Sequence, residues 1–158
     1  MHSRIFQLSA NPIEEVDYIV ESDYYDHWFT NQIADYVDGD CDRDASIEWL
    51  KNCSKGYEII QDNNGNYILV VHSKEKYFEN AYGEFMSELQ KIGTPTIEQF
   101  ISGIDMWRFK NAYEDEFAFY VDLYQEGYGG GLMTFDSFIR HCNVGTKYYV
   151  GGVIDYHF

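Results

Sequence analysis

Tyr57-Glu58-Ile59-Ile60-Gln61, then Asp62-Asn63-Asn64-Gly65, then Asn66-Tyr67-Ile68-Leu69-Val70-Val71-His72 is the stretch that decides the fold. Two runs rich in β-branched and aromatic residues flank a turn, and its Asn-Gly pair supplies the positive backbone φ that a tight connection demands. The pattern predicts two antiparallel strands. Ser73 follows as a helix cap, and Phe78, Ala81, Tyr82, Phe85, Leu89 and Ile92 recur at three- and four-residue spacing on one face. Gly93 and Thr94-Pro95 stop that helix. The reading is an α+β fold: an antiparallel sheet with hairpins at about 57–72 and 147–158, packed by a long amphipathic helix at about 74–92.

Working outward, Ser3 to Ser9 alternates loosely and predicts an opening strand, stopped by Asn11-Pro12. A short helix around 23–29 and a strand around 32–38 are expected next. Asp44 is the expected N-cap of a helix that carries Ile47, Leu50 and Cys53 inward and ends at Gly56. Thr96 and Thr134 each read as a helix cap, followed by an aromatic-aliphatic pair facing the core: Phe100-Ile101 and Phe138-Ile139. Phe117 to Leu123 reads as a buried strand. Lys147 to Phe158, interrupted by Gly151-Gly152, reads as a second hairpin or a bulged strand pair. Gly127-Tyr128-Gly129-Gly130-Gly131 lacks the Lys-Ser/Thr that a phosphate cradle needs, so it is read as a flexible loop. The 158 residues fit a single domain, 1–158, or two lobes, 1–93 and 94–158, joined at Gly93-Thr94-Pro95.

Composition narrows the function more than any motif does. Apolar residues make up 45% and proline occurs twice, which excludes a disordered or collagen-like chain. The longest apolar runs, such as Ile68-Leu69-Val70-Val71, fall far short of a membrane span, and the first residues lack the apolar stretch of a secretory signal. Cys41, Cys53 and Cys142 are odd in number and widely spaced, as reduced thiols of a cytoplasmic protein would be. The charge is the anomaly: 27 acids against 11 bases leave −16. So negative a field opposes contact with nucleic acid backbones and anionic membranes, and favours a basic protein partner or a life in high salt.

The excess is concentrated. Between residues 14 and 48 stand Glu14, Glu15, Asp17, Glu21, Asp23, Asp26, Asp35, Asp38, Asp40, Asp42, Asp44 and Glu48, with Arg43 as the only base. A smaller cluster, Glu114, Asp115, Glu116, Asp122 and Glu126, holds no base at all. One reading is a solvated face that keeps the protein soluble. The sharper reading is a surface that imitates a phosphate backbone and occupies the lysines and arginines of a nuclease or other DNA-binding protein. Its expected contact residues are Glu14, Glu15, Asp17, Glu21, Asp23, Asp26, Trp28, Asp35, Asp38, Asp40, Asp42 and Asp44, with Glu114, Asp115 and Glu116 as a second cluster. Trp28 and the interleaved tyrosines would add rigid contact area. The alternatives are an immunity or interaction module that reads a protein partner by shape and aromatics, and a small enzyme or ligand-binding domain.

Chemistry-bearing motifs are weak. Asp38-x-Asp40-x-Asp42-x-Asp44 resembles the start of a calcium loop, but the sixth and twelfth positions hold Arg43 and Trp49, or Ala45 and Lys51, in place of Gly and Glu. His141-Cys142 lacks paired ligands at zinc spacing, and Cys142 follows the apolar Phe138 and Ile139. No metal, cofactor or catalytic residue is expected, and the protein is read as a binding protein.

Three segments carry a resemblance: the opening S-R-I-F-Q-L-S-A-N-P-I, the central Tyr24-Tyr25-Asp26-His27-Trp28-Phe29, and the closing T-K-Y-Y-V-G-G-V-I-D-Y-H-F. Together they resemble short acidic proteins of unassigned role from bacterial mobile elements. In size and charge the chain is also similar to DNA-mimicking antirestriction and anti-CRISPR proteins. That likeness implies an anti-defence role against a host nucleic-acid-processing enzyme.

Overall fold

The computed structural model describes residues 1–53, 55–114, 118–125 and 128–158, with the backbone alone for 124, 125 and 128–130. Among them, seven strands make one sheet: β1 (His2–Ser9), β2 (Tyr36–Asp38), β3 (Tyr57–Gln61), β4 (Tyr67–Val71), β5 (Tyr120–Gln125), β6 (Tyr128–Thr134) and β7 (Lys147–His157). The helices are α1 (Trp28–Gln32), α2 (Arg43–Asn52), α3 (Lys74–Ile92), α4 (Ile97–Ser102), α5 (Trp107–Tyr113) and α6 (Phe135–His141). Strand order is β3-β4-β7-β1-β5-β6, with β2 also paired to β7. The α+β class holds.

The sheet is mixed rather than antiparallel, because β1 and β5 run parallel with Ile5 opposite Tyr120. More than a hundred residues separate those strands, ample for the crossover that parallel pairing needs. The predicted hairpin is present, with Tyr57 opposite Val71. Asp62 organises its turn: Oδ1 accepts from the Asn64 and Asn66 amides at 2.8 and 2.9 Å, and Gly65 supplies φ +85°.

The second hairpin is corrected: residues 147–157 form one continuous strand. Phe6 faces Val153 and Leu8 faces Val150, so β7 carries an extra residue opposite Gln7. The two glycines serve close approach, not a reversal. A Cβ on Gly151 would lie 2.4 Å from Gln7 Oε1, and one on Gly152 2.9 Å from the Ile19 nitrogen. The predicted glycine loop is also corrected, since residues 128–131 belong to β6, paired with β5. Gly127, like Phe117 of the predicted strand, lies outside the described residues.

Alternation along β1 and β7 sends side chains into two cores. Phe6, Leu8, Val150 and Val153 meet Ile47 and Leu50 of α2 and Phe135, Phe138 and Ile139 of α6 on one face. Ile5, Tyr120, Ile154 and Tyr156 meet Tyr24, Phe29 and Val37 on the other. Cys53 is exposed rather than inward, because α2 ends at Asn52 and six residues of helical rotation carry position 53 off the Ile47 face. The cap of α2 is Asp42, whose carboxylate accepts from the Ala45 amide at 2.9 Å; Asp44 sits in the first turn. Ser73, Thr96 and Thr134 cap α3, α4 and α6 as expected.

Helix α3 has the predicted bounds but not the predicted cover. None of its residues is fully buried, and only Tyr77 and Phe78, in its first two turns, pack on the sheet core. Tyr77 donates to Asp136 at 2.8 Å, Lys74 Nζ donates to the Arg140 carbonyl at 2.7 Å, and the Arg140 guanidinium lies over Phe78. Beyond that anchorage α3 leaves the sheet, and Phe85 packs on Phe109 of α5 with ring centroids 4.4 Å apart. Phe100 and Ile101 of α4 are exposed and face no core, unlike Phe138 and Ile139 of α6. Among the described residues no helix is long and apolar enough to cross a membrane.

Candidate functional site

The candidate site is the layer that residues 13–34 lay over one face of the sheet. A polar residue in an apolar strand fixes it. Gln7 is buried on that face, and its amide donates to the Asp17 carbonyl at 2.9 Å while its oxygen accepts from Ile19 at 3.2 Å and Gly152 at 2.8 Å. Two aromatic plugs follow. Phe29 sits edge-on to Tyr120 and Tyr156, at 4.7 and 4.9 Å between centroids. Tyr24 is buried and donates to Asp122 Oδ2 at 2.7 Å. Burial, and then the Asp122 charge, push the Tyr24 phenol well above the usual tyrosine range, so it stays a donor.

With those groups turned inward, the acids between them turn outward. Glu14, Glu15, Asp17, Asp23, Asp26, Asp35, Asp38, Asp40, Asp42 and Asp44 are exposed, and Glu21 is half-buried. Some carboxylates have local tasks. Asp23 accepts from the Val20 amide at 2.9 Å, Asp38 from the Asp40 amide at 2.8 Å, and Asp42 caps α2. Glu21 accepts from Tyr25 at 3.0 Å, and Asp35 meets His157 Nδ1 at 3.1 Å. The carboxylates of Glu14, Glu15, Asp17, Asp26 and Asp40 have no ion-pair or hydrogen-bond partner among the described residues. Tyr25, Trp28 and Tyr36 are exposed in the same stretch.

Arg43 does not neutralise this layer, because its guanidinium is committed to the backbone of β7. On one edge β7 pairs with β4 through residues 147–149 and with β2 through 155–157. Between those pairings, side chains satisfy the carbonyls. Arg43 Nε donates to Gly151 at 2.7 Å and Nη2 to Val150 at 2.8 Å, while the Cys41 thiol donates to Val153 at 3.1 Å. The guanidinium also lies over the Tyr18 and Tyr67 rings. Among the described residues, Asp44 is the one acid that reaches it, at 3.3 Å.

The second cluster is placed differently. Glu114 is half-buried and accepts from the Thr134 hydroxyl, and Asp122 accepts from Tyr24. Asp115, Glu116 and Glu126 lie outside the described residues. The chemistry-bearing residues stay apart. His27 Nδ1 accepts from the Phe29 amide at 3.3 Å and caps α1. His141 is exposed, and the buried Cys142 thiol, pushed up by burial, donates to the Ile139 carbonyl. Among the described residues, no three His, Cys, Asp or Glu side chains are grouped so as to hold a metal ion.

Sequence reasoning missed Gln7 and Arg43 as the groups that hold the layer. The signals were a glutamine inside an apolar strand and the lone base in an acidic stretch. The chain matches no protein-family model, no curated protein and no solved structure.

Proposed function

We propose that the protein is a non-enzymatic inhibitor that blocks a basic, nucleic-acid-processing partner by presenting carboxylates where that partner would bind phosphates. One observation carries the reading: the acids of residues 14–26, all but Glu21, are turned to solvent on a pinned layer and those of residues 35–48 are exposed beyond it, while the single base of the stretch is withdrawn into β7. A sequence selected only for solubility would intersperse lysines and spare itself the repulsion. Pinning by Gln7, Tyr24 and Phe29 fixes the carboxylates before binding, which lowers the entropy lost on association.

The test is competition. Restriction and CRISPR nucleases are assayed for duplex cleavage with and without the protein, across salt. Inhibition is expected to be relieved by excess duplex DNA and to weaken steeply as salt rises, because the partner's basic groups regain counterions. Replacing Glu15, Asp17, Asp26 and Asp40 by their amides is expected to cost tenfold or more in affinity, at ~0.5–1 kcal/mol for each charge pair removed. A complex that ignores salt and coexists with bound DNA would refute mimicry.

A further inference from the structure

Helix α4 inverts the usual rule of amphipathic packing. Its polar residues Gln99 and Ser102 line a groove shared with Lys91 and Ile92 of α3 and Arg108 of α5. On a helical wheel Ile97, Phe100 and Ile101 fall on the opposite side, and they are 71, 69 and 77% exposed. Every residue from Gly93 to Gly103 is exposed. The helix is nevertheless well formed, closed by a reciprocal bond pair in which Thr96 Oγ1 accepts from the Gln99 amide and Gln99 Oε1 from the Thr96 amide. Met106 and Trp107, the next large apolar residues in the chain after Ile104, are also exposed. Large apolar side chains cover ~150–250 Å² each when fully exposed, so these five present on the order of 600 Å². Exposure on this scale is at the top of what monomeric proteins show, and a stable interface takes ~800 Å² from each partner, of which the α4 face would supply the apolar centre.

Charge selects the occupant. Residues 74–113 hold six acids and five bases, so this arm carries −1 and the rest of the chain −15. Between Lys91 and Asp105 the only charged side chain is Glu98. Such a surface offers nothing to a basic partner. It is also the place where two molecules of net charge −16 meet with the least repulsion, since at ~10 Å or more their acidic layers are largely screened. We infer that the arm is a self-association surface: two copies pack their α4 apolar faces on each other about a twofold axis, with Ile97, Phe100 and Ile101 at the centre. Under that symmetry an apolar face is its own complement.

The test is the mass in solution by sedimentation velocity and light scattering between 1 and 100 µM (roughly the range over which interfaces of this size assemble). The wild-type chain is expected at twice its 18.6 kDa mass, with the dimer tightening or holding as sodium chloride rises, the opposite of the acidic layer's response. The double variant Phe100→Ser, Ile101→Ser is expected to weaken dimerisation at least ~100-fold, as loss of central apolar anchors does. Both residues are exposed in the monomer, so its circular dichroism and monomer melting should be unchanged. Val16→Ser, on the acidic layer, should leave the dimer intact. A wild-type chain that stays monomeric at the top concentration in high salt would overturn the inference, as would a dimer that survives the double variant or dissolves in salt. None of these results bears on inhibition by the acidic layer, which a monomer could deliver.

Discussion

Replacing Arg43 by methionine isolates what the lone base of the acidic stretch does. Methionine keeps an apolar stem against the Tyr18 and Tyr67 rings but removes the donors to the Val150 and Gly151 carbonyls. Hydrogen bonds to a charged group are worth ~1.5–3 kcal/mol each. The Arg43 side chain is 26% exposed, so water reaches part of it and the pair is discounted to ~2–4 kcal/mol in all. For a chain of this size that is a melting point lower by ~5–15 °C. Urea unfolding followed by circular dichroism measures it, with an unchanged denaturant slope expected.

Removing a cation also takes the net charge from −16 to −17 and adds repulsion, so the experiment is run at 0.1 M and 1 M salt. At 1 M, exposed charges feel one another over only ~3 Å before they are screened. A loss that persists there belongs to the bonds on β7, and a loss that vanishes belongs to Coulomb repulsion. Arg43→Lys is the second arm of the test. A point-charge ammonium can satisfy one carbonyl well but not the fork of two, so about half the loss should remain. Methionine within ~0.5 kcal/mol of the wild type, a change expected of an ordinary surface substitution, would refute the reasoning, as would full rescue by lysine. Affinity for a basic partner should hold or rise in Arg43→Met. A tenfold fall in a folded variant would mean that Arg43 touches the partner.

Tyr24→Phe leaves the ring in place but strips Asp122 of its donor beneath the layer. A loss of ~1.5–3 kcal/mol in urea unfolding is expected, and a loss confined to a few tenths would sink Tyr24 as an anchor. Asp62 in the hairpin turn is held below the usual carboxylate range, chiefly by its bond from the Asn66 side chain and then by the amides of the turn. A depressed pKa contributes stability that is present above the unfolded value and lost as pH falls through the folded one. The stability gap between the wild type and Asp62→Ala, read by thermal melts, should therefore be full at pH 6 and close below about pH 3.9; a gap independent of pH would contradict this. Gly56→Ala should prevent stable folding, since Gly56 has φ +75° and a Cβ there would lie 2.1 Å from the Ser73 carbonyl oxygen. Near-native melting would refute that close approach.

The hairpin and the helix caps were legible because they depend on neighbours in sequence. The Asp62 side chain bends the chain onto Asn64 and Asn66, Gly65 supplies the positive φ, and Ser73, Thr96 and Thr134 each bond an amide three residues on. The partners of β7 were not legible, because Gly151-Gly152 has one meaning as a turn and another as a bulge. Only Gln7, more than 140 residues away, decides between them. The cover of α3 was hidden for a similar reason. Its apolar stripe specifies that something packs there, and the stripe is satisfied as well by Phe109 of α5 as by a sheet.

The acidic site was legible as composition and hidden as geometry. Counting placed eleven net charges between residues 14 and 48, but not which carboxylates would be spent on amides and which left without partners. That division follows from backbone turns: Asp23, Asp38 and Asp42 stand where the chain bends and amides need acceptors, whereas the Glu14 and Glu15 carbonyls take the Asp17 and Tyr18 amides themselves and Gln7 meets the Asp17 carbonyl. Counting also misplaced Arg43, which by number alone looks like partial neutralisation. Its two bonds to β7 make it a substitute for a missing strand neighbour, so the layer keeps nearly its full charge while the sheet keeps its backbone bonds. Neutralising the unpartnered Glu14, Glu15, Asp17, Asp26 and Asp40 should then stabilise the fold by relief of repulsion, whereas deleting Arg43 should weaken it. Opposite signs from two changes in one stretch of charge would separate repulsion from structural bonding, and the affinity of the same folded acid variants for a basic partner is what separates binding from solubility.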